Sequence, residues 1–283
     1  MTEAEFRAWM GDEGRRCLVM GVLNVTPDSF SDGGRFFDAG AAREAAERMC
    51  QEGAEIIDIG GESTRPGAGR VDVAEQIRRI MPVFKAIGGR VGAVLSVDTT
   101  RAAVAEAALD AGASIVNDIS AGRDDGEMLG VVGKRGAGLV LMHMQGEPAT
   151  MQTNPQYENV VEDVTRFLEQ RMEAALAAGV NLERILLDPG IGFGKTLQHN
   201  LELLRQLRRL RALGRPVVVG TSRKGFIGQL TGEREPSRRM MGTAASVAWS
   251  VINGAAVVRV HDVGEMVQVV RVVQAIQMGR VDP

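Results

Sequence analysis

Residues 21–34 read GVLNVTPDSFSDGG, a short apolar run that ends at Asn24 and passes into Thr, Pro, Asp, Ser and Gly. Alone, it is a buried strand followed by a polar surface turn. Its meaning changes because the arrangement recurs: AEIIDIGG (54–61), VGAVLSVDT (91–99), ASIVNDIS (113–120), AGLVLMHM (137–144), RILLDPG (184–190), RPVVVGTSR (215–223) and AAVVRVHD (255–262). Near-continuous apolar strands are what a parallel sheet covered on both faces requires. Between them lie helical patterns such as AAREAAERMCQEG (41–53), EQIRRIMPVFKAIG (75–88) and RAAVAEAALDAG (101–112), each closed by Gly before the next strand. Eight such units in 283 residues predict an α/β protein, a closed (β/α)₈ TIM barrel. The expected layout is a single domain over 1–283, with strand–helix units from about 17 to 278. A doubly wound open sheet is the competing architecture, but it would gather its ligand groups near one switch point. Here polar residues stand at the ends of the strands, the fifth being the exception, and the long connections follow strands one, two and five, at one mouth.

Composition narrows the function. Lys plus Arg number 33 against 36 Asp plus Glu, for a net charge of -3, without the basic excess of a nucleic-acid surface. Aromatics are 4%, too few for a base-stacking platform. The arginines at 205, 208, 209 and 211 read as the solvated face of one helix. Cys17 and Cys50 have neither disulfide-scaffold nor metal-site spacing. No secretory pattern and no run of eighteen apolar residues is present, so a cytoplasmic protein without a membrane span is expected.

A barrel brings Asn24, Asp58, Asp98, Asn117, His143, Asp188, Lys224 and His261 together at one end. Carboxylates and amides there suit a flat, donor-rich heterocycle, since a carboxylate accepts two parallel hydrogen bonds from an amidine-like edge. Asp58, one layer deeper, reads as buried support. His143, among Met and Leu, reads as a satisfied mouth histidine rather than a base, and Met142 as a thioether beside a planar ring. STRPG (63–67), Ser222–Arg223–Lys224, and Arg259 with His261 two residues on suit phosphate; a salt bridge in the barrel wall is the other reading of Arg259. DPGIGFGKT (188–196) fails as a P-loop, because the first glycine would have to stand where Pro189 is. Its glycines are expected to let the backbone pass close to a planar ligand.

NVTPDSFSDGG, IIDIGGESTRPG, SVDT, IVNDIS, LMHMQGEPATMQ, DPGIGFGKT, SRKGFIG and RVHDV together resemble the dihydropteroate synthase family, over residues 18–265. The resemblance implies condensation of (7,8-dihydropterin-6-yl)methyl diphosphate with 4-aminobenzoate, assisted by Mg²⁺. It implies that Asn24 ligates Mg²⁺ and that Asp98, Asn117, Asp188, Lys224, Met142 and Phe193 line the pterin pocket. Thr64, Arg65, Asn24, Arg259 and His261 would hold diphosphate, and Phe30, Pro66, Ser222 and Lys224 the aminobenzoate. The catalytic set would be Asp98, Lys224, Arg259, His261 and Asp32. It further implies a homodimer, for which the apolar segment 244–255 is a candidate, and no nucleic-acid or membrane partner. Pterin-dependent methyltransferases have a similar barrel and pocket but need no diphosphate clamp. A degenerate pterin binder would have lost the first two loops, which are present here.

Overall fold

The computed structural model describes residues 1–26, 39–63, 67 and 69–279. Its strands are β1 (Leu18–Asn24), β2 (Ile56–Gly60), β3 (Val94–Asp98), β4 (Ile115–Asp118), β5 (Gly138–Met142), β6 (Ile185–Asp188), β7 (Val218–Val219) and β8 (Val257–Val260). All are parallel, in the order β6-β5-β4-β3-β2-β1-β8-β7. A parallel bridge between Leu187 and Val217 joins the two ends, closing the sheet into the barrel that the apolar runs predict.

The helices are α1 (Glu3–Gly11), α2 (Ala39–Gln51), α3 (Val73–Ile87), α4 (Ala102–Asp110), α5 (Met128–Arg135) and α6 (Val160–Ala177). They continue with α7 (Leu197–Arg205), α8 (Arg208–Arg211), α9 (Gly225–Thr231), α10 (Met240–Ile252) and α11 (Val263–Met278). Local chemistry sets their ends. Asp72 caps α3 by accepting from the Glu75 amide at 2.9 Å, and buried Gln76, Ile80, Val83, Phe84 and Ile87 form one face at helical spacing. Gly136 and Gly279 end α5 and α11 in the left-handed region, where a Cβ would be strained.

Alternation along each strand divides the core in two. Outward residues such as Val19, Ile57, Leu95, Val116, Leu139 and Val258 pack under the helices. Inward residues at the strand starts (Leu18, Met20, Ile56, Val94, Ile115, Leu186, Val257) form a second cluster with Phe6, Trp9 and Met10 of α1. Helix α1 therefore covers the N-terminal end of the barrel, anchored by a Thr2–Glu5 capping box and by the Trp9 indole, which donates to the Arg16 carbonyl at 2.8 Å. With that end closed by apolar packing, the inward polar residues belong to the opposite mouth. The Arg-rich segment is two short helices rather than one, broken at Gln206–Leu207, and its arginines are exposed as expected. No helix among the described residues is long and apolar enough to cross a membrane.

Candidate active site

Strand register builds the mouth in layers. Asn24 pairs with Gly60, Gly60 with Asp98, and Asp98 with Asn117, so four strand ends are level. A Cβ on Gly60 would meet the Asp98 side chain at 3.4 Å, so the glycine leaves that carboxylate its room. Asp58 and Ser96 are level with each other one layer deeper and face inward, because alternation gives Ser96 the same side as Asp98.

Arg259 ties the two layers together. Its Nε donates to Asp58 Oδ2 at 2.7 Å and its Nη2 to Asp98 Oδ2 at 2.7 Å, while Asn117 Nδ2 donates to the same Asp58 oxygen at 2.9 Å. Asp58 is fully buried, as its deeper position predicts. Burial pushes the Asp98 carboxyl up to about 7 against the pull of Arg259, with the Asp58 charge adding to the rise. Burial disfavours the Arg259 cation, but Asp58 and Asp98 more than offset it and hold its pKa above the usual value. The salt-bridge reading of Arg259 describes this state of the protein, in which these two bonds use two of the five guanidinium N–H donors.

Across the mouth, Asp188 accepts the Gly190 amide at 2.7 Å. Burial raises its carboxyl, with Lys224 opposing. The Lys224 ammonium lies 4.4 Å from the centre of the Phe193 ring and donates to the Ile191 carbonyl. Burial lowers it to about 8, with Asp188 opposing. Met142 packs with Ile119, Met144 and Met151, with Phe193 alongside. These are an apolar wall and a ring face next to polar groups, which suits a planar heterocycle.

The glycine-rich stretch after β6 is held by the chain itself. Gly190, Gly192 and Gly194 all have positive φ, and a Cβ on Gly190 would run into the His143 carbonyl oxygen. The close approaches are thus to the neighbouring β5 loop and to the Lys224 side chain, a role the expectation of a nearby ligand did not include. Lys195, which sequence reasoning missed, is buried behind this stretch. Its ammonium bonds to His143 Nδ1 at 3.0 Å and donates to the Phe193 carbonyl at 3.0 Å. Burial first, then Lys195 and Arg123, depress His143 to about 2, so it stays neutral and structural, as expected. His199 likewise caps α7 with Thr196.

On the other flank, His261 Nδ1 and Ser222 Oγ are 3.0 Å apart. Arg223 has φ +60° and is committed to Asp262, its Nε donating to Oδ2 at 3.0 Å, rather than lying open to phosphate. Glu62 and Gln76, also missed, fix the root of the second loop: Gln76 Nε2 donates to Glu62 Oε2 at 3.1 Å and Thr99 Oγ1 to Gln76 Oε1 at 3.1 Å. Phe30, Asp32, Thr64, Arg65 and Pro66 lie outside the described residues.

Residues 20–261 match the model of the family described as pterin binding enzyme. A dihydropteroate synthase of Synechocystis sp. is 46% identical over 265 residues, 94% of this chain and 92% of that protein. The chain belongs to the dihydropteroate synthase family. A solved dihydropteroate synthase of Xanthomonas albilineans with 4-aminobenzoic acid is 45% identical with a TM-score of 0.87, covering 93% of both chains. The same enzyme in complex with 7,8-dihydropteroate is 43% identical, at a TM-score of 0.84 over 93% of this chain and 94% of that one. The family match spans every strand end discussed above, from Asn24 to His261.

Proposed function

We propose that this chain condenses (7,8-dihydropterin-6-yl)methyl diphosphate with 4-aminobenzoate, giving 7,8-dihydropteroate and diphosphate. The observation that carries the reading is the mouth itself: Asp98, Asn117 and Asp188 beside the Phe193–Lys224 wall, with Arg259 at the centre, in a chain of this family. Asp98 and Asp188 accept the N–H groups of the ring, Asn117 supplies an amide, and Met142 and Phe193 pack on its faces. Arg259 and His261 take the diphosphate, joined by Thr64 and Arg65. Phe30, Pro66, Ser222 and Lys224 hold the aminobenzoate, and Asp32 belongs to the catalytic set.

The chemistry asks little acid–base work of the protein. The methylene C–O bond breaks with its electron pair leaving on diphosphate, and the aniline lone pair forms the C–N bond. The nitrogen proton then passes to solvent or to the released diphosphate. Asp98 stabilises positive charge developing on the ring, while Arg259 and His261 stabilise negative charge on the leaving group. An ionised methylene and a direct displacement make the same demands of these residues.

Asn24 fits Mg²⁺ as a single amide-oxygen donor at the mouth. Mg²⁺ commonly keeps its waters and takes substrate phosphates with few protein ligands. Among the described residues no group of three His, Cys, Asp or Glu offers a protein cage instead. Bound there, Mg²⁺ supplies charge neutralisation at the leaving diphosphate. The reading includes a cytoplasmic homodimer. Leu230, Met241 and Trp249 are exposed on α9 and α10, and a groove of about 410 Å³ between α7, α9 and α10, away from the mouth, is lined by Leu204, Phe226, Leu230 and Trp249. A second copy would cover them.

Diphosphate release from the pterin diphosphate, measured with and without 4-aminobenzoate, tests the reading. Release coupled to a product with the mass of 7,8-dihydropteroate is expected; pterin binding without that product would overturn it.

A further inference from the structure

The Arg259 guanidinium bridges two carboxylates, and the pterin needs one of them. Asp98 Oδ2 is the acceptor both of Arg259 Nη2 and, on the reading above, of the ring's donor edge. A ring that takes both Asp98 oxygens competes with Nη2 for Oδ2. A cation in the barrel interior that gives up one carboxylate partner calls for another acceptor in its place. The structure holds a replacement. Asp58 Oδ2 already receives Arg259 Nε, while Asp58 Oδ1, fully buried, has no hydrogen-bond partner among the described residues. A guanidinium held through Nε has an Nη beside it in the fork that matches the two oxygens of one carboxylate.

We propose that Asp58 is the positioning residue for Arg259. When the pterin claims Asp98, the guanidinium closes onto both oxygens of Asp58, and its remaining edge is presented to the diphosphate. The inference rests on the pterin reading above. It gives the orphan oxygen a purpose: a buried acceptor without a partner in one state is the acceptor used in the other. It also accounts for Asn117, which donates to Asp58 Oδ2 at 2.9 Å and so keeps the carboxylate from rotating away. Of the two carboxylates, Asp98 is the one more readily given up by Arg259. Burial raises it to about 7, and the mouth layer places it where a ligand reaches.

The exchange predicts a specific coupling. Asp58→Asn removes the second acceptor and sets an amide donor against the guanidinium, so Arg259 keeps to Asp98 and the ring must compete for it. Binding of 6-hydroxymethyl-7,8-dihydropterin, which carries no diphosphate, is measured by calorimetry at pH 8. Asp58→Asn is expected to bind at least about tenfold more weakly than wild type. In an Arg259→Gln background, with no guanidinium to release, adding Asp58→Asn is expected to change affinity less than about threefold. Equal binding by wild type and Asp58→Asn, or the same tenfold loss in both backgrounds, would overturn the inference while leaving the pterin reading intact. Failure of the wild type to bind the pterin would overturn that reading, and this inference with it. A second measurement uses the wild type alone. The Arg259 Nε–H resonance, assigned by its loss in Arg259→Gln, is expected to stay protected from solvent exchange when the pterin is added. Its loss of protection would show that the Asp58 anchor does not persist, and would overturn the proposal even where Asp58→Asn does not fold.

Discussion

Replacing Arg259 by Met tests the energetics of the mouth before any substrate is added. The guanidinium donates at 2.7 Å to each of two buried carboxylates, Asp58 and Asp98, and its own side chain is only 21% exposed. Met fills similar volume without charge, so the variant leaves two carboxylates facing each other in the barrel. Removing one partner of a buried ion pair costs about 3–5 kcal/mol, a large share of the roughly 5–15 kcal/mol that a folded domain has. The loss depends on pH with a defined sign. Asp98 already sits at about 7 in the folded protein, above the carboxylate range of the unfolded chain, so folding binds its proton and its contribution becomes less favourable as pH rises toward 7. Without Arg259 that value rises further and the window extends above 7. One more unit of rise adds about 1 kcal/mol to the variant's deficit between pH 6 and pH 8. Urea unfolding followed by circular dichroism at the two pH values is the assay. A deficit below about 1 kcal/mol at pH 8, or one larger at pH 6 than at pH 8, would refute the account of the buried network.

Three further outcomes are expected. On the proposed reading the pterin binds ionised Asp98, so calorimetric affinity should fall by up to about tenfold per pH unit below about 7, and Asp98→Asn should abolish that dependence. Gly190→Ala sets a Cβ against the His143 carbonyl at φ +67°; a loss of at least about 2 kcal/mol in urea unfolding, with a raised KM for the pterin diphosphate, is expected. Trp9→Ala removes packing at the far end of the barrel, so it should lower stability by about 3–5 kcal/mol and leave kcat unchanged.

The barrel was legible because parallel strands buried on both faces cannot hide their apolar runs, and because each run ends in a residue unlike its neighbours. Helix α1 was not: Phe6, Trp9 and Met10 have helical spacing, but nothing local says that they meet Leu18, Ile56 and Val257 inside the barrel. The break between α7 and α8 carries no Gly or Pro to announce it. The positions of Asp98, Asn117 and Asp188 followed from their places at strand ends, whereas Lys224, expected at a strand end, is the N-cap of α9, five residues beyond β7. The bonding of Arg259 did not, since its partners are 161 and 201 residues away and no spacing rule reaches that far. Arg223 misled for a local reason: its backbone lies in the left-handed region and its side chain pairs with Asp262, neither of which SRK by itself reveals. Lys195 was passed over because a lysine after GFG reads as a phosphate ligand or a surface residue, and only tertiary burial gives it His143 as a neighbour.

The central claim is that Asp98 in the barrel mouth drives condensation of a pterin diphosphate with 4-aminobenzoate. It is tested most directly by measuring dihydropteroate formation by wild type and Asp98→Asn side by side, with folding of both verified by circular dichroism. The account predicts product from the wild type and a fall in kcat/KM of at least about 100-fold in the variant, the scale of one lost electrostatic contact to the transition state. No product from the wild type, or a folded variant within about threefold of it, would contradict the account.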